Sequence, residues 1–172
     1  TEERAHFGGG NAGNLRGAKA SLFEGGIKVP SIISWPGKLP SGQVREQFAV
    51  NTDWFPTLAE LCNIKLPRED LDGKSLLKVI NDVEATTAHE DGYCWAFNKM
   101  WVARKGKWKL LGNPLDTGNK GVLNENDTLF LVDLDADPGE TTNLASKYPD
   151  VVDALKKQYM VWEKLNPKNN NN

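Results

Sequence analysis

Leu15-Arg16-Gly17-Ala18-Lys19-Ala20-Ser21-Leu22-Phe23-Glu24-Gly25-Gly26-Ile27-Lys28-Val29-Pro30 sets one lysine between glycines and ends on a Glu-Gly-Gly turn that leads into an apolar run. Gly-rich backbone can approach a ligand closely, and an ammonium group beside it neutralises an anion. The stretch reads as a loop for a sulfate or phosphate group, followed by a strand. A lone loop lysine is usually solvated surface. The glycines on both sides of Lys19, with Phe23 and Glu24-Gly25-Gly26 close behind, raise it above that expectation.

Upstream, residues 1 to 18 read as loop, with Gly8-Gly9-Gly10-Asn11-Ala12-Gly13-Asn14 too glycine-rich for regular structure. Loops of that length are usually functional or separated from their context, so a strand is expected before them. Downstream, Ile27 to Trp35 is rich in Val and Ile, and Pro30 marks it as an edge or irregular strand. Asp53 to Cys62 reads as a helix capped by Asp53 or Thr52, with Phe55, Leu58, Leu61 and Cys62 on its inner face. Ser75 caps a short helix that turns Leu76, Leu77, Val79 and Ile80 inward. From Gly92 the period changes to two, and Gly92–Phe97, Met100–Arg104, Lys107–Leu111 and Thr128–Asp133 are predicted strands. Lys105-Gly106 predicts a tight hairpin. Pro149 to Leu165 is the clearest helix, with Val152, Leu155, Tyr159 and Trp162 recurring at spacings of three and four.

These elements give an α/β chain. Residues 1–91 read as the C-terminal remainder of an α/β domain carrying the lysine loop. Residues 92–166 read as a small α+β subdomain of antiparallel sheet plus C-terminal helix, and 167–172 as a disordered tail.

The 172 residues carry a net charge of −2, which with no broad basic stripe argues against a nucleic-acid partner. No apolar run is long enough to cross a membrane, and the opening at Thr1 has no signal-peptide pattern. Cys62 and Cys94 stand in no metal spacing; buried free thiols are the simpler reading, one disulfide the alternative. The six tryptophans fall mostly in apolar segments, where packing is the usual role, and some could line a sugar-binding surface.

Other residues carry weaker signals. His6 reads as solvent-exposed, or as a group that reaches the sulfate. Asn11, Asn14 and Arg16 are candidate donors to a sulfated sugar; for Arg16 a structural ion pair is an equal reading. Glu24 is expected to pin its turn, because a carboxylate repels sulfate. Asp133-Leu134-Asp135-Ala136-Asp137 fails the EF-hand pattern at Pro138 and Leu144 and reads as a capped turn. Asn126-Asp127-Thr128 is a glycosylation sequon, a pattern that often arises by chance. His89, in a polar stretch, is expected to be solvated.

The run from Leu15-Arg16-Gly17-Ala18-Lys19 through Glu24-Gly25-Gly26-Ile27-Lys28-Val29-Pro30 resembles the lysine loop of the sulfatases of the alkaline-phosphatase-like superfamily. Trp35-Pro36-Gly37, Asp53 through Leu61, Leu71-Asp72-Gly73-Lys74-Ser75-Leu76, Lys105 through Leu110, and Leu131-Val132-Asp133-Leu134 with Asp137-Pro138-Gly139-Glu140-Thr141-Thr142-Asn143-Leu144 are similar to later family segments, in family order. The resemblance covers roughly residues 8 to 165 and is to the C-terminal part of a sulfatase. It implies a sulfuric ester hydrolase, an arylsulfatase-like enzyme acting on sulfate esters, most plausibly of sulfated sugars. It makes Lys19 the catalytic contact to the sulfate; His6, Asn14 and Arg16 stand beside it as candidate substrate contacts read from the residues themselves. It also implies calcium and a formylglycine nucleophile. Their residues are absent here: neither Cys62-Asn63-Ile64 nor Cys94-Trp95-Ala96 continues into Cys/Ser-x-Pro-x-Arg, and the family's Asp-Asn pair should lie upstream of Thr1. By the resemblance, the partners are a sulfated small molecule or glycan and an N-terminal sulfatase segment, and the location is periplasmic, secreted or lysosomal. Alone, the chain is expected to be inactive. Two rival readings stay open: another alkaline-phosphatase-like hydrolase, such as a phosphodiesterase or phosphonate hydrolase, and a non-catalytic anion- or glycan-binding remnant.

Overall fold

The computed structural model describes residues 11–166, except Glu69, Lys120, Val122, Glu125 and Asn126. In chain order its elements are α1 (Glu24–Ile27), a 3-10 turn (Asn51–Asp53), α2 (Trp54–Leu61), α3 (Leu77–Asn81), β1 (Tyr93–Phe97), β2 (Met100–Lys105), β3 (Trp108–Gly112), β4 (Leu129–Asp133) and α4 (Pro149–Leu165). The chain forms two compact units. Residues up to Val29 pack with those from Gly92 onward, and Pro30–Asp91 form the other unit.

The first unit is built on a four-stranded antiparallel sheet in the order β1-β2-β3-β4. β2 and β3 turn over Gly106 and Lys107, with Lys105 opposite Trp108 and Gly106 at φ +55°. Side chains alternate across a strand, and both faces of this sheet are covered. On one face Met100, Val102, Leu111, Phe130 and Val132 pack against Leu22 and Phe23 of the lysine loop. On the other, Cys94, Ala103, Leu110 and Leu131 pack against Val152, Leu155 and Tyr159 of α4. The alternation therefore reads out both partners: β4 gives Phe130 and Val132 to the loop and Leu131 to the helix.

This grouping differs from the division expected at residues 91 and 92. The lysine loop belongs with the sheet, because Phe23 is fully buried and meets Phe130 edge-on, with ring centroids 5.4 Å apart. Period and pattern had tied the loop to the strand expected after it. That strand is not present among the described residues. Ile27 closes α1, and the Val/Ile run that follows pairs with no strand; Ile32 is 92% exposed. An extended run becomes a strand only when a neighbour takes its N–H and C=O groups.

The second unit has a small apolar core of Ala59, Leu76, Val79 and Ala85. Polar side chains bonded to backbone hold much of it. Asp53 is fully buried; its Oδ2 accepts the Val50 N–H at 2.8 Å and its Oδ1 the Lys74 N–H at 2.9 Å. Thr57 donates to the Asp53 carbonyl at 2.6 Å and accepts the Leu76 N–H at 2.9 Å. Arg45 donates to the carbonyls of Val79 and Ile80 at 2.7 and 3.0 Å, satisfying free acceptors at the end of α3. α2 buries Pro56, Thr57 and Ala59, whereas Phe55 and Leu58, expected on its inner face, are about half exposed. His89, expected in solvent, is buried, with Nε2 at 2.8 and 3.0 Å from the Asp53 carboxylate oxygens. Its polar sequence neighbours hid a long-range partner.

The cysteines are free: Cys94 is buried as expected, but Cys62 is exposed. The residue 167–172 tail lies outside the described residues.

Candidate active site

Lys19 stands at the corner of a tight turn. The Ser21 N–H donates to the Ala18 carbonyl at 3.0 Å, and Ala20 takes φ +72°. Lys19 itself is exposed. The turn is braced from below by Thr117, whose hydroxyl lies 3.1 Å from the carbonyls of both Ala18 and Lys19 and accepts the Ala18 N–H at 3.2 Å. Ser21 donates to the Leu115 carbonyl at 2.6 Å. An exposed ammonium thus sits on a backbone fixed by side chains from a distant loop.

The glycines serve the loop's own closure. Gly17 has φ +82°, and a Cβ there would come within 2.7 Å of Ser21 Oγ. The Gly25 N–H donates to the Arg16 carbonyl at 2.6 Å, and a Cβ at Gly25 would lie 2.5 Å from the Gly17 carbonyl oxygen. The Glu-Gly-Gly turn folds back on the start of the loop, so these two glycines are required by backbone meeting backbone. Among the described residues no ligand approach is needed to explain them.

Both ends of the loop are tied by buried charge. At the first end, Arg16 is 1% exposed. Its Nε donates to Asp116 Oδ2 at 2.8 Å, its Nη1 donates to the Glu140 carbonyl at 2.9 Å, and its guanidinium lies 4.4 Å from the Phe23 ring centre and 5.0 Å from that of Phe130. Arg16 thus makes a buried ion pair, the structural alternative to a substrate contact. At the second end, Glu24 is 6% exposed, and its Oε1 accepts a hydrogen bond from Lys109 Nζ at 2.8 Å. Lys109 also pairs with Glu140 Oε1 at 2.9 Å, and Glu140 Oε2 accepts the Glu24 N–H. Lys109 and Glu140 are fully buried.

One ammonium thus serves two buried carboxylates. Burial works to raise the Glu24 carboxyl. The charge and hydrogen bond of Lys109, with Arg104 and Lys28 beyond, overcome that and hold it below the ordinary value. Burial pushes the Glu140 carboxyl up, the negative charge of Glu24 adds to that, and Lys109 only partly offsets it. Glu24 pins its turn as expected. Lys109 and Glu140 were not singled out from sequence. The available signal was strand parity: Lys109 shares a face with Leu111, and a lysine on an apolar face implies a buried acid.

Asn14 is exposed on the turn before Arg16, and Asn11 is spent locally, its Oδ1 accepting the Gly13 N–H at 2.8 Å. His6 and the sequon residue Asn126 lie outside the described residues. The aspartate run is a pair of capped turns: Asp133 Oδ1 accepts the Asp135 N–H at 3.2 Å, and Asp137 Oδ2 accepts those of Thr141 and Thr142 at 2.8 and 2.9 Å. Among the described residues no three His, Cys, Asp or Glu side chains gather as a metal site, and Cys94, its thiol pushed up to about 12 by burial, has no thiolate character. Among the described residues the side chains do not fit the implied calcium, and neither cysteine stands in a formylglycine-precursor motif. The tryptophans mainly pack: Trp101 stacks on Tyr159 at 4.3 Å and Trp108 lies 5.0 Å from Tyr148. Trp162 lines a cavity of about 340 Å³ with Ala96 and Tyr159, beside α4 and away from the lysine loop. No helix among the described residues is long and apolar enough to cross a membrane.

Comparison with known proteins gives the family. The family described as N-sulphoglucosamine sulphohydrolase, C-terminal, matches residues 18–165. A sulfatase from Formosa agariphila is 30% identical over 81% of the chain, which covers 26% of that protein. Human arylsulfatase A is 29% identical over 91% of the chain, covering 34% of the enzyme. A solved sulfatase structure from work on glycosaminoglycan metabolism by Bacteroides thetaiotaomicron superposes with a TM-score of 0.64 at 29% identity, over 84% of this chain and 31% of the other. A further structure, solved with a neocarrahexaose, shares the fold at TM-score 0.69 and 21% identity, over 86% of this chain and 31% of that one. The chain spans about a third or less of the length of these relatives.

Proposed function

The chain belongs to the sulfatase family, as a portion of its C-terminal region, and from that premise we propose that it serves a sulfuric ester hydrolase acting on sulfated sugars. The observation that carries the proposal is Lys19: an exposed ammonium at the tip of a loop pinned at both ends, inside the matched region. A fixed cation costs no reorganisation when charge develops on a sulfate oxygen as the ester S–O bond breaks. The substrate class is supported by the glycosaminoglycan setting of one structural relative. On this reading Asn14, exposed beside the loop, donates to the sugar, and His6 is a second contact. A periplasmic, secreted or lysosomal location belongs to the same proposal.

The family's calcium and formylglycine would supply the anion-binding metal and the nucleophile. The described residues hold neither, so the part of this chain in the reaction is to bind and position the sulfate. The N-terminal sulfatase segment is the proposed partner that brings the remainder of the site. The exposed Phe55, Leu58 and Ile32 of the second unit support such a partner, since apolar side chains left open in a unit with a small core suit a covering surface.

The test is hydrolysis of an aryl sulfate and of sulfated mono- and disaccharides by the protein carrying this chain at the length of its relatives. Wild type should turn over, and Lys19→Ala should lower kcat by roughly a hundred- to a thousand-fold, the range for removing one preorganised group. An unchanged rate would take Lys19 out of the reaction.

A further inference from the structure

The two ends of the lysine loop meet at one residue. Glu140 lies in the turn between β4 and α4, 116 positions from Glu24 and 124 from Arg16. Its backbone carbonyl accepts the Arg16 guanidinium at 2.9 Å, its Oε2 accepts the Glu24 N–H, and its Oε1 pairs with Lys109, which in turn holds Glu24. Asp116 reaches only the first end through its side chain, and Lys109 only the second. Glu140 also takes φ +52°. That is the left-handed region, which costs a residue with a Cβ about 1–2 kcal/mol and which glycine occupies freely. Glycine there would form the turn, leave the Glu24 N–H without an acceptor and take from Lys109 one of its two carboxylates. The carboxylate is held in a conformation that favours another residue, at the point where it can reach both anchors.

We propose that Glu140 is a positioning residue for Lys19: it joins the two anchors of the lysine loop and so fixes where the ammonium meets the sulfate group. The inference rests on the reading of Lys19 as the sulfate contact. Glu140 acts through the loop, by way of Arg16 and Glu24. A displacement of the tip by a fraction of an ångström to an ångström is enough to matter, since a misplacement of that size can cost up to about a hundredfold in rate.

The experiment is a double-mutant cycle on nitrophenyl sulfate hydrolysis, in the protein carrying this chain at the length of its relatives. Its four members are wild type, Glu140→Gln, Lys19→Ala and the double variant, joined by amide hydrogen exchange on the same proteins. Glu140→Gln keeps the backbone carbonyl and the side-chain shape but removes the charge that faces Lys109. It should lower kcat about ten- to a hundredfold in the wild-type background and have little further effect once Lys19 is alanine, because residues acting as a unit are not additive. Amides of Gly17–Phe23 should exchange faster while those of β3 and β4 keep their protection. An equal loss in both backgrounds would make Glu140 a general structural residue, and no loss in either would remove it altogether; both results overturn the proposal. Where Glu140→Gln does not fold, Glu140→Asp, which retains the charge and shortens its reach, carries the same cycle. A wild type without sulfatase activity sinks the sulfatase reading instead. The exchange data then decide the anchoring alone: faster exchange at Gly17–Phe23 supports it, and unchanged exchange overturns it.

Discussion

Lys109→Met tests the electrostatics under the lysine loop. Lys109 and Glu140 are fully buried and the Glu24 side chain is 8% exposed, so the three charges have little solvent to screen them. Methionine fills a similar volume and removes the ammonium, leaving two carboxylates facing an apolar sheet. Breaking a buried pair by removing one partner costs roughly 3–5 kcal/mol, and here two acids are stranded. That is a large part of an ordinary domain stability of about 5–15 kcal/mol. The cost should also depend on pH with a definite sign. In the wild type the Glu24 carboxyl lies below the ordinary value of 4.5. Its stabilisation is complete above that value and is lost as pH falls through the lower folded one. Glu140 is raised, so its share runs the other way, and stability declines as pH climbs from 4.5 through its folded value. In the variant both carboxyls lose their cation and both are raised by burial, so the variant gains on the wild type as pH falls from neutrality toward 4.5. Urea unfolding followed by tryptophan fluorescence measures this, because Trp95, Trp101 and Trp108 all lie on the sheet. The midpoint gap between the proteins should be wide at neutral pH and narrower near 4.5. A cost below about 1 kcal/mol at neutral pH, or a gap that does not change with pH, would refute the reasoning.

Two further outcomes follow from packing and exposure. Iodoacetamide at neutral pH should label Cys62 and leave Cys94 untouched until denaturant is added, since Cys62 is exposed and burial pushes the Cys94 thiol up to about 12; mass spectrometry of the native protein finding both thiols modified equally would contradict this. Gly25→Ala puts a methyl 2.5 Å from the Gly17 carbonyl oxygen, so the loop must open or the variant must lose about 1–3 kcal/mol or more in thermal unfolding, whereas Gly37→Ala, where a Cβ meets nothing within 4 Å, should be felt only through its φ of +76°.

What could be read from sequence was local and periodic. The sheet strands are found within one residue of their predicted ends because each is a short apolar-rich run bounded by turn residues, and Gly106 announced the turn between two of them. α4 begins at Pro149 and ends at Leu165 as predicted, because Pro marks its first turn and its apolar spacing is unbroken. What failed depended on partners far along the chain. The Val/Ile run from Ile27 has strand composition, but composition supplies no neighbouring strand. His89 and Asp53 are 36 positions apart, so their pairing left no local trace. At the lysine loop, the glycine pattern drew attention to Lys19, yet it suggested ligand approach where the structure has self-contact. Arg16 left two readings open because an arginine among glycines looks the same whether it faces an anion or Asp116 and Phe23. Glu140 was hidden inside a turn motif; nothing near it in sequence says that it closes a loop more than a hundred residues away.

The most direct test of the account sets two esters with the same leaving group against each other. The protein carrying this chain at the length of its relatives is given nitrophenyl sulfate and bis-nitrophenyl phosphate, and kcat/KM is measured for each, with and without Lys19→Ala. A sulfatase built around this lysine loop should prefer the sulfate ester and lose that preference with the lysine. Faster turnover of the phosphate diester, or a sulfate ester rate indifferent to Lys19→Ala, would contradict it.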